Sequence, residues 1–328
     1  MKPIAVISGD IHYSLKNLAL ADDATRQAIQ KANELKVPFI ANGDTTDTKA
    51  ILRAECVNAM IETFKLANLS PYINIGNHCK INSKGSPHAL NFLSPYAVII
   101  DSPKYIEKLN SFIIPYYDDV EELRQFLKAL PKNSKLIMHQ GLNGTNAGEY
   151  IRDHSALNPE DLVNFRTILS HYHCRQDIKC GSKVASYIGS PYTVTFGEAN
   201  DPEKGYQILY DDGSLEFVPT NLRKHIVINC QADCQPQENL IVRANDLVWV
   251  KVKGPKDQLS RLTKEQVKAK LNLPSNFKLD LIPDKVETTL TKKSSSQKEV
   301  LDQLIDSATG LEKDTKKRLK QLWKSYAS

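Results

Sequence analysis

Five short segments gather side chains of the types that hold metal ions: Asp10 and His12 in GDIH, Asp44 in GDTTD, Asn77 and His78 in GNH, His139 in MHQG, and His171 with His173 in SHYH. Each has an ordinary explanation taken alone. An Asp after a strand caps a helix, an Asn-His pair makes a turn, and a single His is more often a satisfied core residue than a ligand. The set is more informative than its members, because five of the eight histidines fall in these segments and each segment leaves a β-branched run. Open α/β sheets collect ligands at the carboxyl ends of their strands. Carboxylates and an amide oxygen suit hard divalent ions and imidazoles suit transition metals, so a blend with no thiolate favours a manganese- or iron-like pair over structural zinc. Two ions about 3.5 to 4 Å apart clamp a phosphate, hold a hydroxide at neutral pH and neutralise a pentavalent transition state, with one carboxylate bridging.

The elements that must position these groups follow from periodicity. Strands are expected at Ile4 to Ser8, Pro38 to Asn42, Tyr72 to Ile75, Lys135 to Met138 and Arg166 to Leu169, with two more at Val184 to Gly189 and Tyr192 to Phe196. Helical spacing runs over Asn17 to Leu35 and Ala50 to Ala67. Short strands alternating with helices are the pattern of an α/β domain built on βαβ units. Asp211, Asp212 and Gly213 predict a hairpin within Gly205 to Val218. The first domain is expected to span 1–220. A second βαβ segment, Leu247 to Lys253, Lys264 to Leu271 and Phe277 to Ile282, defines a small domain over 221–284, with Thr263 and Gln266 as a capping box. A polar linker over 285–297 leads to a helical pair over 298–328. Its apolar stripes are Leu301, Leu304, Ile305 and Ala308, then Leu319, Leu322, Trp323 and Tyr326, with Gly310 between the helices.

Bulk properties exclude several classes. A chain of 328 residues, 41% hydrophobic and 25% charged, has an ordinary globular composition. No apolar run approaches the ~20 residues needed to span a bilayer, and the N-terminal residues lack a secretory cleavage pattern, so a cytoplasmic protein without membrane contact is expected. The six cysteines form no disulfide framework, and Cys230 with Cys234 lacks the second Cys or His pair a zinc site needs. The net charge of +5 is too small to identify a nucleic-acid binder by itself. Most of it lies in residues 291–328, with nine Lys or Arg against five Asp or Glu.

The order DxH, GDxxD, GNH, H and HxH resembles the calcineurin-like metallophosphoesterases, over Ile4 to about Phe196. GDTTDT, and YIGSPYTVTFGE followed by KGY, resemble segments of the SbcD-type nuclease subunits within that superfamily, and the compact length resembles phage recombination exonuclease subunits. The resemblance implies a β-sandwich flanked by helices, a small αβ capping domain that binds DNA, and a C-terminal helical attachment. It implies that Asp10, His12, Asp44 and His173 hold one ion and that Asp44, Asn77, His139 and His171 hold the other, Asp44 bridging. His78 is then the catalytic residue that contacts the scissile phosphate and assists the leaving oxygen, a role suited to a group titrating near neutrality. Asp47 is expected behind the ligands. Three positions depart from the pattern: Cys79 where an acidic residue commonly follows GNH, Ile11 where Trp is frequent, and Ser170 where Gly usually precedes HxH.

The resulting expectation is a two-metal DNA nuclease, manganese-loaded with magnesium as the alternative, acting as exonuclease on duplex ends and endonuclease on single strands in recombination, repair or replication. An SbcC-type, SMC-like ATPase is implied as partner through the C-terminal helices, since this chain has no GxxxxGK[ST] phosphate loop, and a homodimer is implied by the family. The alternative is a metallophosphatase or cyclic-nucleotide phosphodiesterase using the same metals on a small substrate. Tyr13 and Tyr172 flank ligands and suggest base stacking, although packing is the commoner use of such rings.

Overall fold

In the computed structural model, the residues described are all but 50, 82–87, 146–155, 236–240, 285–303, 306–312 and 327–328. The chain divides into two units, Met1–Pro283 and Asp284–Ser328.

The first unit is built on two six-stranded mixed sheets. Strands β1 (Pro3–Ser8), β2 (Phe39–Asn42), β3 (Tyr72–Asn74) and β4 (Val98–Ile100) pair in parallel, β11 (Gly205–Tyr210) adds to β1 antiparallel and β12 (Leu215–Pro219) to β11 antiparallel, giving the order β12-β11-β1-β2-β3-β4. The second sheet has the order β5-β6-β7-β8-β10-β9, from β5 (Lys104–Ile106), β6 (Ser111–Ile114), β7 (Lys135–His139), β8 (Arg166–Ser170), β9 (Gln176–Cys180) and β10 (Lys183–Tyr187). The expected sandwich flanked by helices is therefore present. Between the sheets lies a core rich in isoleucine, including Ile7, Ile40, Ile113, Ile137, Ile168 and Ile188, β-branched side chains that fit a pleated surface. Helices α1 (Leu18–Leu35) and α2 (Ala54–Phe64) cover the outer face of the first sheet, and α3 (Val120–Ala129) covers that of the second.

Local sequence accounts for these elements. In α1 the buried residues Ala21, Ala24, Ala28, Ile29 and Ala32 recur at three- and four-residue spacing, and small alanines let the helix approach the sheet. Helix α2 begins at Ala54 because Arg53 is still extended, four residues later than the spacing predicts. Helix α3 starts at Asp119, whose side chain accepts from the amides of Glu121 and Glu122. Tyr192 to Phe196, expected as a strand, is instead irregular and ends in a single 3-10 turn at Phe196–Glu198.

Residues 221–284 contribute a separate all-parallel sheet of β13 (His225–Gln231), β14 (Leu247–Gly254) and β15 (Phe277–Pro283), with short helices α4 (Lys256–Leu259) and α5 (Lys264–Leu271) burying one face through Val248, Val250, Val252 and Val267. Thr263 caps α5 reciprocally with Gln266: the Gln266 amide donates to Thr263 Oγ1 at 3.2 Å and the Thr263 amide to Gln266 Oε1 at 2.9 Å. This sheet lies within the same compact unit as the sandwich.

In the second unit, helix α6 (Lys313–Tyr326) is described, and so are the helical residues Leu304 and Ile305. The linker 285–297 and most of the first expected tail helix, including Leu301 and Ala308, lie outside the described residues. No described helix is long and apolar enough to cross a membrane. All six cysteines are free.

Candidate metal centre

The five segments leave β1, β2, β3, β7 and β8 at the same end of the sandwich. A buried amide ladder beneath them ties the two sheets together. Asn42 Nδ2 donates to Met138 O and to Ser170 Oγ, each at 2.9 Å, and Asn74 Nδ2 donates to Asn42 Oδ1 and Ile114 O, also at 2.9 Å. Losing one partner of such a buried group costs about 1–3 kcal/mol, so the ladder fixes the distance between the loops of one sheet and those of the other. It also explains Ser170, which accepts from Asn42 where a glycine offers nothing. The paired loop stays small in return, since a Cβ on Gly9 would stand 2.1 Å from Ser170 Oγ.

Four proposed ligand residues have left-handed backbones: Asp10 (φ 52°), His12 (53°), Asp44 (44°) and His171 (114°). Such conformations cost non-glycine residues about 1–3 kcal/mol each and persist where the surroundings enforce them. Here the first two loops enforce one another, with Asp10 N donating to Gly43 O (3.2 Å), His12 N to Asp44 O (2.9 Å) and Tyr13 N to Thr45 O (2.9 Å). Gly43 has φ +82°, and a Cβ there would lie 2.0 Å from His139 Nδ1. The reversals turn the ligand side chains inward over the strand ends.

The side chains converge in groups whose ligand atoms lie within 4.8 Å of one another: Asp10, His12 and His173; Asp44, His139 and His171; and His12, Asp47 and His78. Asn77 joins the second group, its Oδ1 standing 3.1 Å from His139 Nε2 and 3.1 Å from His171 Nδ1. Asp44 Oδ2 is 3.2 Å from His139 Nε2, while Asp44 Oδ1 accepts from the amide of His78 at 2.8 Å. All seven residues proposed as ligands therefore stand in one site with His78 beside them. His78 Nδ1 donates to Asp47 O at 2.8 Å. Asp47 Oδ1 stands 3.3 Å from His12 Nδ1.

Hydrogen-bond bookkeeping tests whether cations fit. His173 Nδ1 donates to Glu198 Oε1 at 3.0 Å, whereas His12 Nδ1, 3.3 Å from Asp47 Oδ1, is buried with no hydrogen-bond partner among the described residues. A carboxylate partner places the imidazole proton on the nitrogen it faces. His173 Nε2 is then left as an acceptor 3.0 Å from His12 Nε2, whose ring has no partner on Nδ1 to fix its tautomer, so both Nε2 atoms are available as ligands to a shared cation. The other group is held by a backbone carbonyl. His139 Nδ1 donates to Asn42 O at 3.0 Å, so its Nε2 faces the acceptor oxygens of Asn77 and Asp44. Ligand atoms at right angles around an ion at about 2.1 Å stand about 3 Å apart, which is the spacing found. The donor set fits two divalent cations.

Electrostatics agree. Burial favours neutral Asp44, yet the adjoining His139, His12 and His78 outweigh it and hold the carboxyl far below the ordinary range. Burial pushes His139 down, but Asp44 and Asp10 lift it to about 9.

Other expectations resolve as follows. Tyr13 is 1% exposed and packs in the core under α1 and α2, and Tyr172 packs on the rings of His171 and Tyr187, so neither ring is free to stack on a base. Cys79 is fully buried and its thiol is pushed up to about 11 by burial and by Asp44, so it stays neutral. Glu198 and Lys204 were singled out in sequence only as motif letters. Glu198 faces His173, and Lys204 Nζ lies 3.0 Å from Glu198 Oε2 and donates to His173 O at 2.8 Å. Burial would raise Glu198, but His173 and Lys204 hold it at about 2.

Adjoining imidazole and carboxylate groups at the strand ends of a two-sheet sandwich make a site compatible with divalent-metal binding. Over 258 residues, 72% of this chain and 74% of the relative, the sequence is 26% identical to exonuclease subunit 1 of Enterobacteria phage T4. Among solved structures it is similar to one described as a novel archaeal phosphodiesterase, with 14% identity and a TM-score of 0.36, covering 65% of this chain and 98% of that one. No protein-family model matches the chain.

Proposed function

We propose that this chain is a metal-dependent phosphodiesterase that cleaves DNA, acting as the nuclease subunit beside an SMC-like ATPase. The observation that carries the reading is the close approach of candidate ligand atoms, His12 Nε2 to His173 Nε2 at 3.0 Å and His139 Nε2 to Asn77 Oδ1 and Asp44 Oδ2 at 3.1 and 3.2 Å. Similarity to a phage exonuclease subunit supports the substrate and the existence of a partner. In this reading Asp10, His12, Asp44 and His173 hold one ion, and Asp44, Asn77, His139 and His171 hold the other, with Asp44 shared. Manganese is the first choice and magnesium the second, given the mixed donors. Bound cations supply charge neutralisation at the phosphate and acidify the attacking water. His78, fixed through its amide to Asp44 and through Nδ1 to Asp47 O, presents Nε2 to hold a proton for the leaving oxygen. Residues 221–284 form the DNA-facing cap, residues 298–328 bind the ATPase, and two copies pair. Exonuclease action on duplex ends, endonuclease action on single strands and a role in recombination, repair or replication in the host cytoplasm complete the reading.

Two experiments test it. Purified protein with manganese should shorten linear duplex DNA, and EDTA should stop it; turnover of a chromogenic phosphodiester with intact DNA would instead identify a small-molecule phosphodiesterase. Co-expressed ATPase should be captured by the full chain and lost by one truncated at Lys292. Undiminished capture by the truncated chain would remove the tail from the interface.

A further inference from the structure

His173 reaches the centre from a loop beyond β8, and its Nδ1 needs a partner to orient the ring. That partner comes from Glu198, at the end of the Phe196–Glu198 turn. Thr195 and Glu198 form a capping box across the turn. The Glu198 carboxylate also accepts from Val194 N and Thr195 N at 3.3 Å each and from Ser190 Oγ at 3.2 Å, besides its 3.0 Å pair with Lys204. At the other end of the turn, Phe196 projects onto the small sheet. Its ring meets His225 of β13 edge-on at 4.7 Å and Trp249 of β14 edge-on at 5.5 Å. Three residues thus connect the packing of a separate sheet to one imidazole of the centre.

We propose that Glu198 is the positioning residue of His173 and that Phe196 anchors it, so that occupancy of the Asp10, His12 and His173 group depends on contact between the Phe196–Glu198 turn and the small sheet. An imidazole without a partner on its second nitrogen is free to rotate and to change tautomer, whereas a carboxylate on Nδ1 fixes both and leaves Nε2 as the ligand atom. Glu198 is only 8% exposed, so water is a poor substitute. In the Asp44, His139 and His171 group it is Asn42 O, not a residue of this turn, that accepts from His139 Nδ1. Disturbing the turn should therefore weaken one cation and spare the other. The inference rests on the reading of these groups as cation sites.

The experiment is calorimetric titration of manganese into the metal-stripped full-length chain, with EPR of the bound ion. Wild type should take up two ions; if it takes up none, the underlying reading fails before this one is reached. Glu198→Ala should weaken one ion about 10- to 100-fold and leave the other unchanged. Glu198→Gln, which keeps an oxygen acceptor for Nδ1–H, should fall between. Phe196→Ala should weaken the same ion and Phe196→Leu should restore much of the affinity. Two ions at wild-type affinity in Glu198→Ala, or equal loss of both, would overturn the proposal while leaving the metal centre intact. Should the alanine variants fail to fold, the Glu198→Gln titration decides by the same criterion.

Discussion

Asp44→Asn is expected to abolish the centre as a two-cation site while leaving the sandwich folded. Asparagine matches aspartate in shape and retains an oxygen to accept from the His78 amide, which Asp44 Oδ1 now does at 2.8 Å. What disappears is the only charge proposed to serve both ions, at a position 2% exposed, where water screens little. Removing one partner of a buried charged pair costs about 3–5 kcal/mol, or about two to four orders of magnitude in ion affinity. Manganese titration should show the loss, and DNA cleavage should fall with it. The metal-free protein offers a second readout. His139 has its folded pKa raised to about 9 by Asp44, so its pairing stabilises the fold fully below the ordinary value of about 6.5 and is lost as pH rises through about 9. In the EDTA-treated Asp44→Asn variant, stability against denaturant should lose most of that decline. A variant that binds two ions with wild-type affinity would show that Asp44 bridges nothing.

The candidate ligands were legible in sequence because the physics that places them is local. Each follows a β-branched run within a few residues, and a strand's end delivers its next side chains to one edge of the sheet whatever the rest of the chain does. The α5 capping box was legible for the same reason. What escaped is non-local or depends on conformation. Glu198 is 25 residues from His173, and no spacing announces that a carboxylate will turn back onto a particular imidazole. The Asn42, Asn74 and Ser170 ladder looks like ordinary strand polarity until the sheets face each other. Left-handed backbones at Asp10, His12, Asp44 and His171 are invisible because none is glycine. Tyr192 to Phe196 reads as a strand since Tyr, Thr, Val, Thr and Phe all favour pleated backbone, but the amides of Val194 and Thr195 are taken by the Glu198 carboxylate. Helix α3 was available to a stricter reading: Asp119 caps it, and Leu123 and Leu127 define its buried face.

His78→Ala is expected to separate chemistry from metal binding. The geometry contains a competing assignment, because His12, Asp47 and His78 also form a group with ligand atoms within 4.8 Å. As a ligand, His78 would contribute to ion affinity; as a proton donor, it would contribute only where the leaving oxygen needs a proton. Its hydrogen bonds favour the second role. Nδ1 is committed to Asp47 O at 2.8 Å and the backbone amide to Asp44, which steadies the ring and leaves Nε2 for exchange with substrate. General acid catalysis by a placed imidazole contributes about 10²- to 10⁴-fold, so cleavage of DNA, whose leaving group is an alkoxide, should slow by that range. A bis(p-nitrophenyl) phosphodiester releases a phenolate stable without a proton, and the same variant should hydrolyse it at nearly the wild-type rate. Manganese affinity should be unchanged. Equal losses on both substrates together with weaker ion binding would reassign His78 to the metals, and the proton for the leaving oxygen would then have to come from water.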